Sequence, residues 1–420
     1  MTVIKNGTAL ISGELVKTDI RFDNGIITEI GADLNDDEVI DAAGLTILPG
    51  LVDVHVHLRE PGREYKETIE TGSLAAAHGG FTTIFAMPNV IPFPSTTETM
   101  KPYIEKLKKG HVRIFPYGTI TDNEAGREVT DYEALKELGV RWFSDDGVGV
   151  ADKDIMEQAL KANALSDVLF ACHTEDMNYR RPSASVHSSL DGQNGWLGIP
   201  SECESEQLKR DLELLKSTGG RYHACHISAK ESVQAIREAK KLGLDVTGEV
   251  TVHHLLLEDC DVSGPNEKMN PPLRSHEDRM ALIEGLEDGT LDFIANDHAP
   301  HSEEEKARPM DKAPFGIVSL ETAFELLYTA FVATGRCTLP QLVNWMSMAP
   351  AKRFGLDDCG TIEVGRRADF VLIDEHLPHT IDKNTFLSKG KNTPFDGWPV
   401  ACSIRQTICG GKTAWKGNAR

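Results

Sequence analysis

Between Leu51 and His298 the chain repeats one texture: a short apolar run of strand character, then an amphipathic stretch of helical spacing. LVDVHVH (51–57) leads to YKETIETGSLAAAHG, and TTIFAMPN (82–89) leads to TTETMKPYIEKLKKG. VRIFPYG, RWFSDD, DVLFACHTED, RYHACHIS, DVTGEVTVHH and LDFIANDH continue the series, with helical runs such as DYEALKELG, KDIMEQALKANAL and KESVQAIREAKKLG between them. Such alternation is the mark of βα units around a parallel sheet. Eight strand-like runs in roughly 250 residues match the size of a (β/α)8 TIM barrel. The fold class is therefore α/β.

The two ends read differently. TVIKNGTALI, VKTDIRFDNGIITEIG and EVIDAAGLTILPG are short β-rich stretches cut by Asn-Gly, Gly and Pro-Gly, which predicts a small antiparallel unit. TIEVGRRADFVLID and ACSIRQTICGGKTAW repeat that texture after Phe354. The expected organisation is a barrel over 51–354 beside one small β-sandwich domain built from 1–50 and 355–420. Within the barrel, Ser201 followed by Glu204 reads as a capping box opening a helix. Two connections, 177–200 and 299–319, are too long for simple βα loops, and long loops at the carboxyl ends of barrel strands hold substrate contacts and lids.

Acidic residues outnumber basic ones by 65 to 44, a net charge of −21 that repels phosphate backbones and anionic lipid and excludes nucleic-acid binding by bulk charge. No apolar run approaches the ~20 residues of a membrane span, and MTVIKNGTALISGEL lacks the blocks of a signal peptide, so cytoplasmic residence is expected. The eight Cys form no C-x-x-C pair and read as buried thiols.

Chemistry is suggested by the strand ends. Strand period two puts His55 and His57 on one side. An isolated H-x-H pair reads equally well as ordinary polar residues, but Asp145 and Asp146, His173, His226 and Asp297 each follow a later strand. Burying such groups together is costly unless a metal offsets it. Five or six ligands exceed what one tetrahedral zinc needs, so two metals are the economical answer. A bridging carboxylate could come from Asp146 if Asp145 faces away, a choice that alternation does not make. Arg59, two residues beyond His57, and Asn89, ending the second strand, could together meet a carboxylate beside the metals; a surface salt bridge from Arg59 to Glu60 or Glu64 is the lesser alternative.

DVHVHLREPG (53–62), AMPN (86–89), FSDDG (143–147), ACHIS (224–228), MNPPLR (269–274), NDHAPH (296–301), PFGIVSLET (314–322) and NTPFDGWPV (392–400) together resemble the bacterial dihydroorotases of the amidohydrolase superfamily. The resemblance covers nearly the whole chain. It implies two zinc ions per subunit, His55, His57 and Asp297 holding one, His173 and His226 the other, and Asp146 bridging them where many relatives use a carboxylated Lys. His298, His253 and His254 would be supporting rather than ligating. Arg59, Asn89 and His301 would bind the substrate carboxylate, while Asn270 and the backbone near Pro314, Phe315 and Gly316 hold the ring. The family often writes H-C-E-D where this chain has His173-Thr174-Glu175-Asp176, and residues 177–200 match less clearly and yield no site residue.

The implied reaction is the reversible cyclisation of N-carbamoyl-L-aspartate to L-dihydroorotate, a step of pyrimidine synthesis, with Asp297 as the catalytic proton carrier. A homodimer is the expected assembly, with association with a transcarbamoylase left open. Two rivals stand beside this reading. A hydantoinase or allantoinase would share fold and metals but give Arg59 no acidic arm to meet, and a non-catalytic scaffold would have lost ligands that are all present here.

Overall fold

In the computed structural model, which describes residues 1–417, the first fifty residues break into seven short strands where the turn residues fall. These are β1 (Thr2–Lys5), β2 (Thr8–Ile11), β3 (Glu14–Lys17), β4 (Asp19–Asp23), β5 (Ile26–Gly31), β6 (Glu38–Asp41) and β7 (Thr46–Pro49). Strands β5-β4-β1-β6 form one sheet, whereas β2, β3 and β7 share a six-stranded sheet with β18 (Phe370–Asp374), β21 (Ser403–Cys409) and β22 (Lys412–Lys416). One cluster of buried side chains, including Ile4, Ile20, Phe22, Ile47, Phe370, Leu372 and Ile408, draws on both sheets. The expectation of a purely antiparallel unit is corrected, because β1 pairs with β6 and β2 with β7 in parallel. The chain crosses between the sheets instead of turning back as successive hairpins, so β6 and β7 return in the direction of β1 and β2.

The middle of the chain supplies β8 (Leu51–Val56), β9 (Phe81–Ala86), β10 (Arg113–Pro116), β11 (Trp142–Phe143), β12 (Leu169–Cys172), β15 (Arg221–Ala224), β16 (Val246–Thr251) and β17 (Phe293–Ala295). Their ladders are all parallel, in the orders β10-β9-β8 and β11-β12-β15-β16-β17. Single parallel bridges, Gly118 to Phe143 and His298 to Val56, join these two groups at both ends, so the pairing returns to its start. Helices intervene where capping residues permit: Thr68 and Thr96 accept the N–H of Thr71 and Thr99 to open Ile69–His78 and Thr97–Leu107, and Asp152 opens Lys153–Ser166. Smaller pieces complete the chain: β13 (Val186–His187) pairs with β14 (Gly198–Ile199) inside the long 177–200 connection, and β19 (His379–Thr380) pairs with β20 (Pro399–Val400).

One ring from the C-terminal part fills the space the parallel strands enclose. Phe354, just past the helix Ala349–Arg353, packs edge-on against Phe85 at 4.8 Å, Tyr117 at 6.3 Å, His223 at 5.8 Å and Phe293 at 6.2 Å. These rings belong to a buried cluster with Val52, Val54, Trp142 and Leu169.

Two sequence expectations need correction. Ser201 has helical backbone angles and makes no cap, and Glu204 turns inward instead of reaching back to it. The Glu204 carboxylate accepts the backbone N–H of Ser228 at 3.1 Å and of Ala229 at 3.0 Å, takes the Ser228 hydroxyl, and faces the Arg274 guanidinium at 3.4 Å. Ala229 precedes the helix Lys230–Lys241 and has no side-chain oxygen of its own, so the buried carboxylate satisfies N–H groups that would otherwise be orphaned. The cysteines are not uniformly buried either, since Cys260 lies exposed in the short turn Asp259–Asp261 and Cys409 is half-buried at a strand end. Replacing Glu204 by Ala strands a buried guanidinium and should cost about 3 kcal/mol in a denaturation experiment, while Ser201→Ala, which removes only the hydroxyl that accepts Arg274 Nη1 at 3.3 Å, should cost less, about 1 kcal/mol.

Candidate metal centre

The parallel strands end together, and their ends carry imidazoles and carboxylates into one buried space. His55 lies in β8, where the register with β9 shifts between Asp53 and Val56, an irregularity of the kind that re-aims a side chain. Its Nε2 lies 3.2 Å from Asp146 Oδ1 and 3.5 Å from Asp297 Oδ1. His57 Nε2 lies 3.4 Å from Asp146 Oδ2 and 3.0 Å from Asp297 Oδ1. His173, after β12, and His226, after β15, bring Nδ1 and Nε2 to within 3.8 and 3.7 Å of Asp146 Oδ1, and to 2.9 Å of each other. Asp146 thus meets all four rings.

Asp145 does not share this space. Its carboxylate accepts the N–H of Ile120 at 2.7 Å and of Thr121 at 3.1 Å together with the Thr121 hydroxyl, tying down the loop after β10. Burial pushes its pKa up to about 6 against those bonds. For Asp146, burial acts in the same sense, but His55, His226 and His57 outweigh it and hold the carboxyl well below the usual range. Burial likewise opposes charge on Asp297, yet His55 and His57 bring it down to about 2. Both carboxylates are therefore charged at neutral pH.

The donor set suits a borderline cation. His55, His57 and Asp297 form one group of potential ligand atoms within 4.8 Å of one another, and His55, Asp146 and His226 form a second. His55 Nε2 and Asp146 Oδ1 are buried without a hydrogen-bond partner, the condition that a metal relieves. Supporting groups fix the ring orientations. His55 Nδ1 donates to Glu249 Oε1 at 2.7 Å, and the same carboxylate takes His223 Nε2 at 2.9 Å and the His226 N–H at 3.1 Å. His57 Nδ1 donates to Asn89 Oδ1 at 3.0 Å. Each arrangement turns Nε2 toward the carboxylates, where it would serve as the ligand atom once a cation is bound. The backbone is unusual here as well: Arg59 (φ 60°), His226 (φ 34°) and Asp297 (φ 46°) occupy the left-handed region, which side chains other than Gly rarely enter outside sites that need it.

A cavity of about 380 Å³ opens over these groups, lined by His57, Asn89, Asp146, His173, His226 and Asp297 at its base and by Arg59, Asn270, His301, Pro314, Phe315 and Gly316 above. Arg59 is buried, with Nε donating to Pro300 O at 3.3 Å, and it pairs with neither Glu60 nor Glu64. Burial lowers its pKa to about 10, which keeps the charge at neutral pH. His301 donates Nε2–H to Phe315 O at 2.8 Å and accepts Lys66 Nζ at 3.1 Å on Nδ1; burial, then Arg59 and Lys66, hold it neutral. Asn89 lines the cavity while its amide spans His57 and, at 3.5 Å, Asp146. Asn270 donates to Glu175 at 3.1 Å, and Glu175 also faces His173 at 3.4 Å.

Among the residues expected to support the site, His254 bonds Thr251 Oγ1 and Pro271 O, and His298 Nδ1 accepts the N–H of Ser319. His253 is buried with neither nitrogen bonded. Sequence reasoning missed Glu249, although a lone Glu within a fully parallel, apolar strand was a signal of it. It also missed Arg63, Lys66, Glu175 and Arg180, which line the same cavity. Arg180 comes from the 177–200 connection, pairs with Glu175, and lies 4.7 Å from the centre of the Phe315 ring.

The family model described as Dihydro-orotase-like matches residues 44–232. A protein named Dihydroorotase from Anoxybacillus flavithermus is 53% identical, with 96% of each chain covered, and one so named from Bacillus subtilis is 53% identical, with 99% of this chain and 98% of that one covered. The chain belongs to the dihydroorotase family. Solved structures similar to this dihydroorotase-family chain include an L-hydantoinase (dihydropyrimidinase) from Arthrobacter aurescens, with a TM-score of 0.90, 28% identity and coverage of 100% of this chain and 97% of that one. A D-hydantoinase from a Bacillus sp. AR9 gives a TM-score of 0.87 at 25% identity, with 99% and 95% covered. Identity to the curated dihydroorotases is about twice that to the hydantoinases, and the family is metal-dependent, in keeping with the donor set.

Three substitutions test the centre through metal content. Asp146→Ala should lose bound metal, and Asp145→Ala should retain it while lowering stability. Glu249→Gln should weaken metal affinity 10- to 100-fold in competition with a chelator.

Proposed function

We infer that the chain is a dihydroorotase, interconverting N-carbamoyl-L-aspartate and L-dihydroorotate in pyrimidine synthesis. The observation that carries this reading is the buried convergence of His55, His57, His173, His226 and Asp297 on Asp146, with the charged Arg59 lining the cavity above. The proposed scaffold is a (β/α)8 barrel over 51–354 with a β-sandwich from 1–50 and 355–420, supported by the returning parallel pairing and by the six-stranded sheet that both ends share.

Two zinc ions are proposed, one held by His55, His57 and Asp297, the other by His173 and His226, with Asp146 reaching both. Zinc held there would supply Lewis acidity, lowering a water's pKa to about 7 and polarising an amide carbonyl. The residues do the rest. Asp297, charged at neutral pH, takes the proton from the attacking water in hydrolysis and passes it to the ring nitrogen as the amide C–N bond breaks. In cyclisation the same carboxyl works in reverse: the ureido nitrogen of carbamoyl aspartate attacks the side-chain carboxyl carbon, Asp297 carries the nitrogen's proton, and water leaves. Arg59, anchored on Pro300 O, presents its guanidinium to the substrate's other carboxylate, with Asn89 and His301 beside it. Asn270 and the backbone at Pro314, Phe315 and Gly316 hold the ring.

A hydantoinase reading draws on the structural relatives, but a hydantoin leaves the buried Arg59 without a carboxylate partner. A scaffold reading is disfavoured by the complete donor set. No helix among the described residues is long and apolar enough to cross a membrane. A homodimer in the cytoplasm, with or without a transcarbamoylase partner, is the proposed setting.

Absorbance assays should show hydrolysis of L-dihydroorotate and none of hydantoin or allantoin; turnover of hydantoin instead would discard the role given to Arg59. Asp297→Ala should abolish turnover, a loss of at least ~10²-fold, and Arg59→Ala should act mainly by raising KM. Chelation should remove activity, and added zinc should restore it.

A further inference from the structure

A second cavity, of about 350 Å³, adjoins the catalytic one and shares His301 with it. Its lining holds Lys306, Lys383, Lys389 and Lys391, against a single carboxylate, Glu303. This is a concentration of positive charge in a chain whose net charge is −21. Three of the four ammonium groups are held by main-chain carbonyls and by no carboxylate. Lys306 Nζ donates to Pro314 O at 3.1 Å and Gly316 O at 3.0 Å, Lys391 Nζ to Ser388 O at 2.9 Å, and Lys389 Nζ to Glu64 O. Only Lys383 has an acidic partner, Asp396 at 3.2 Å. An ammonium has three donors, so Lys383 and Lys389 keep N–H groups that the protein does not use. Burial and the nearby Lys268 pull Lys306 down to about 7, a cost that an anion beside it would offset.

The chemistry of the lining differs from that of the catalytic cavity. Arg59, Arg63 and Arg180 line the catalytic cavity, and their planar forks suit carboxylates. The second cavity has lysines and no arginine, point charges that suit a tetrahedral anion approached from several sides. We propose that this cavity is a separate binding site for a small phosphate monoester. Its occupant would be coupled to catalysis through the shared wall. Lys306 grips the carbonyls of Pro314 and Gly316, and Asn392 Oδ1 accepts the His301 N–H at 3.1 Å while its Nδ2 donates to Gly316 O at 3.1 Å.

Calorimetric titration of the intact protein at low salt with glycerol 3-phosphate tests the site, with glycerol and succinate as controls. Saturable binding of the phosphate ester is expected, at least tenfold weaker in Lys383→Gln/Lys389→Gln and retained in Arg59→Ala. Lys383→Gln alone, on a half-exposed side chain, should give a partial loss, and retained dihydroorotate turnover reports that each lysine variant is folded. Absence of saturable binding, or succinate binding as tightly as the ester, would overturn the assignment. So would loss of binding in Arg59→Ala with unchanged affinity in the lysine variants, which would place the anion in the catalytic cavity.

Discussion

Everything at the centre follows from the difficulty of keeping two carboxylates and four imidazoles together away from water. A buried carboxylate without a cationic partner is pushed toward its neutral form, as burial raises Asp53 to about 7 even against the hydrogen bonds it accepts from the His55 N–H and from Asn296. Asp146 escapes that fate because His55, His57, His173 and His226 surround it from three different strand ends. Only parallel strands that finish side by side can deliver such a set, since each contributes one or two side chains at one level. Glu249 extends the pattern a layer deeper, where one carboxylate orients His55, His223 and the His226 backbone together. A change in any one of these groups is therefore felt by several others.

Beneath this polar layer the interior is aromatic. Phe85, Tyr117 and Phe293 close around Phe354, so the charged groups rest on a floor that excludes water and does not compete for their hydrogen bonds. Low polarity below and a cavity above give the carboxylates a direction: their free lone pairs face the side from which substrate arrives. The left-handed backbone at Arg59, His226 and Asp297 belongs to the same economy, because an ordinary strand continuation would carry each side chain past the position it now holds.

Much of this was legible in the sequence where a period exists to be read. The eight strand runs, the helices opened by Thr68, Thr96 and Asp152, and the grouping of His and Asp at strand ends all follow from local pattern. What escaped depends on partners distant in the chain. Ser201 and Glu204 have the spacing of a capping box, but Arg274 and the backbone at Ser228 and Ala229 offer Glu204 better company. Asp145 and Asp146 are indistinguishable by alternation, and the backbone of Ile120 and Thr121 separates them. Arg180 sits in a connection with no period at all, and the parallel pairings of β1 and β2 arise from a chain path that the turn residues do not encode.

Phe354 also bears on how the protein comes to exist. On the ribosome the N-terminal segments emerge first and begin to fold as they appear. Yet β7 finds its partner β18 only after residue 374 has been made, and the enclosed space between the parallel strands stays open until the Phe354 ring arrives to fill it. The eight strands, complete only once residue 295 has been made, must therefore hold their His and Asp ends in an unfinished, solvent-accessible state until Phe354 follows. The last sixth of the polypeptide acts less as an appendage than as the closing step that seals the site from beneath.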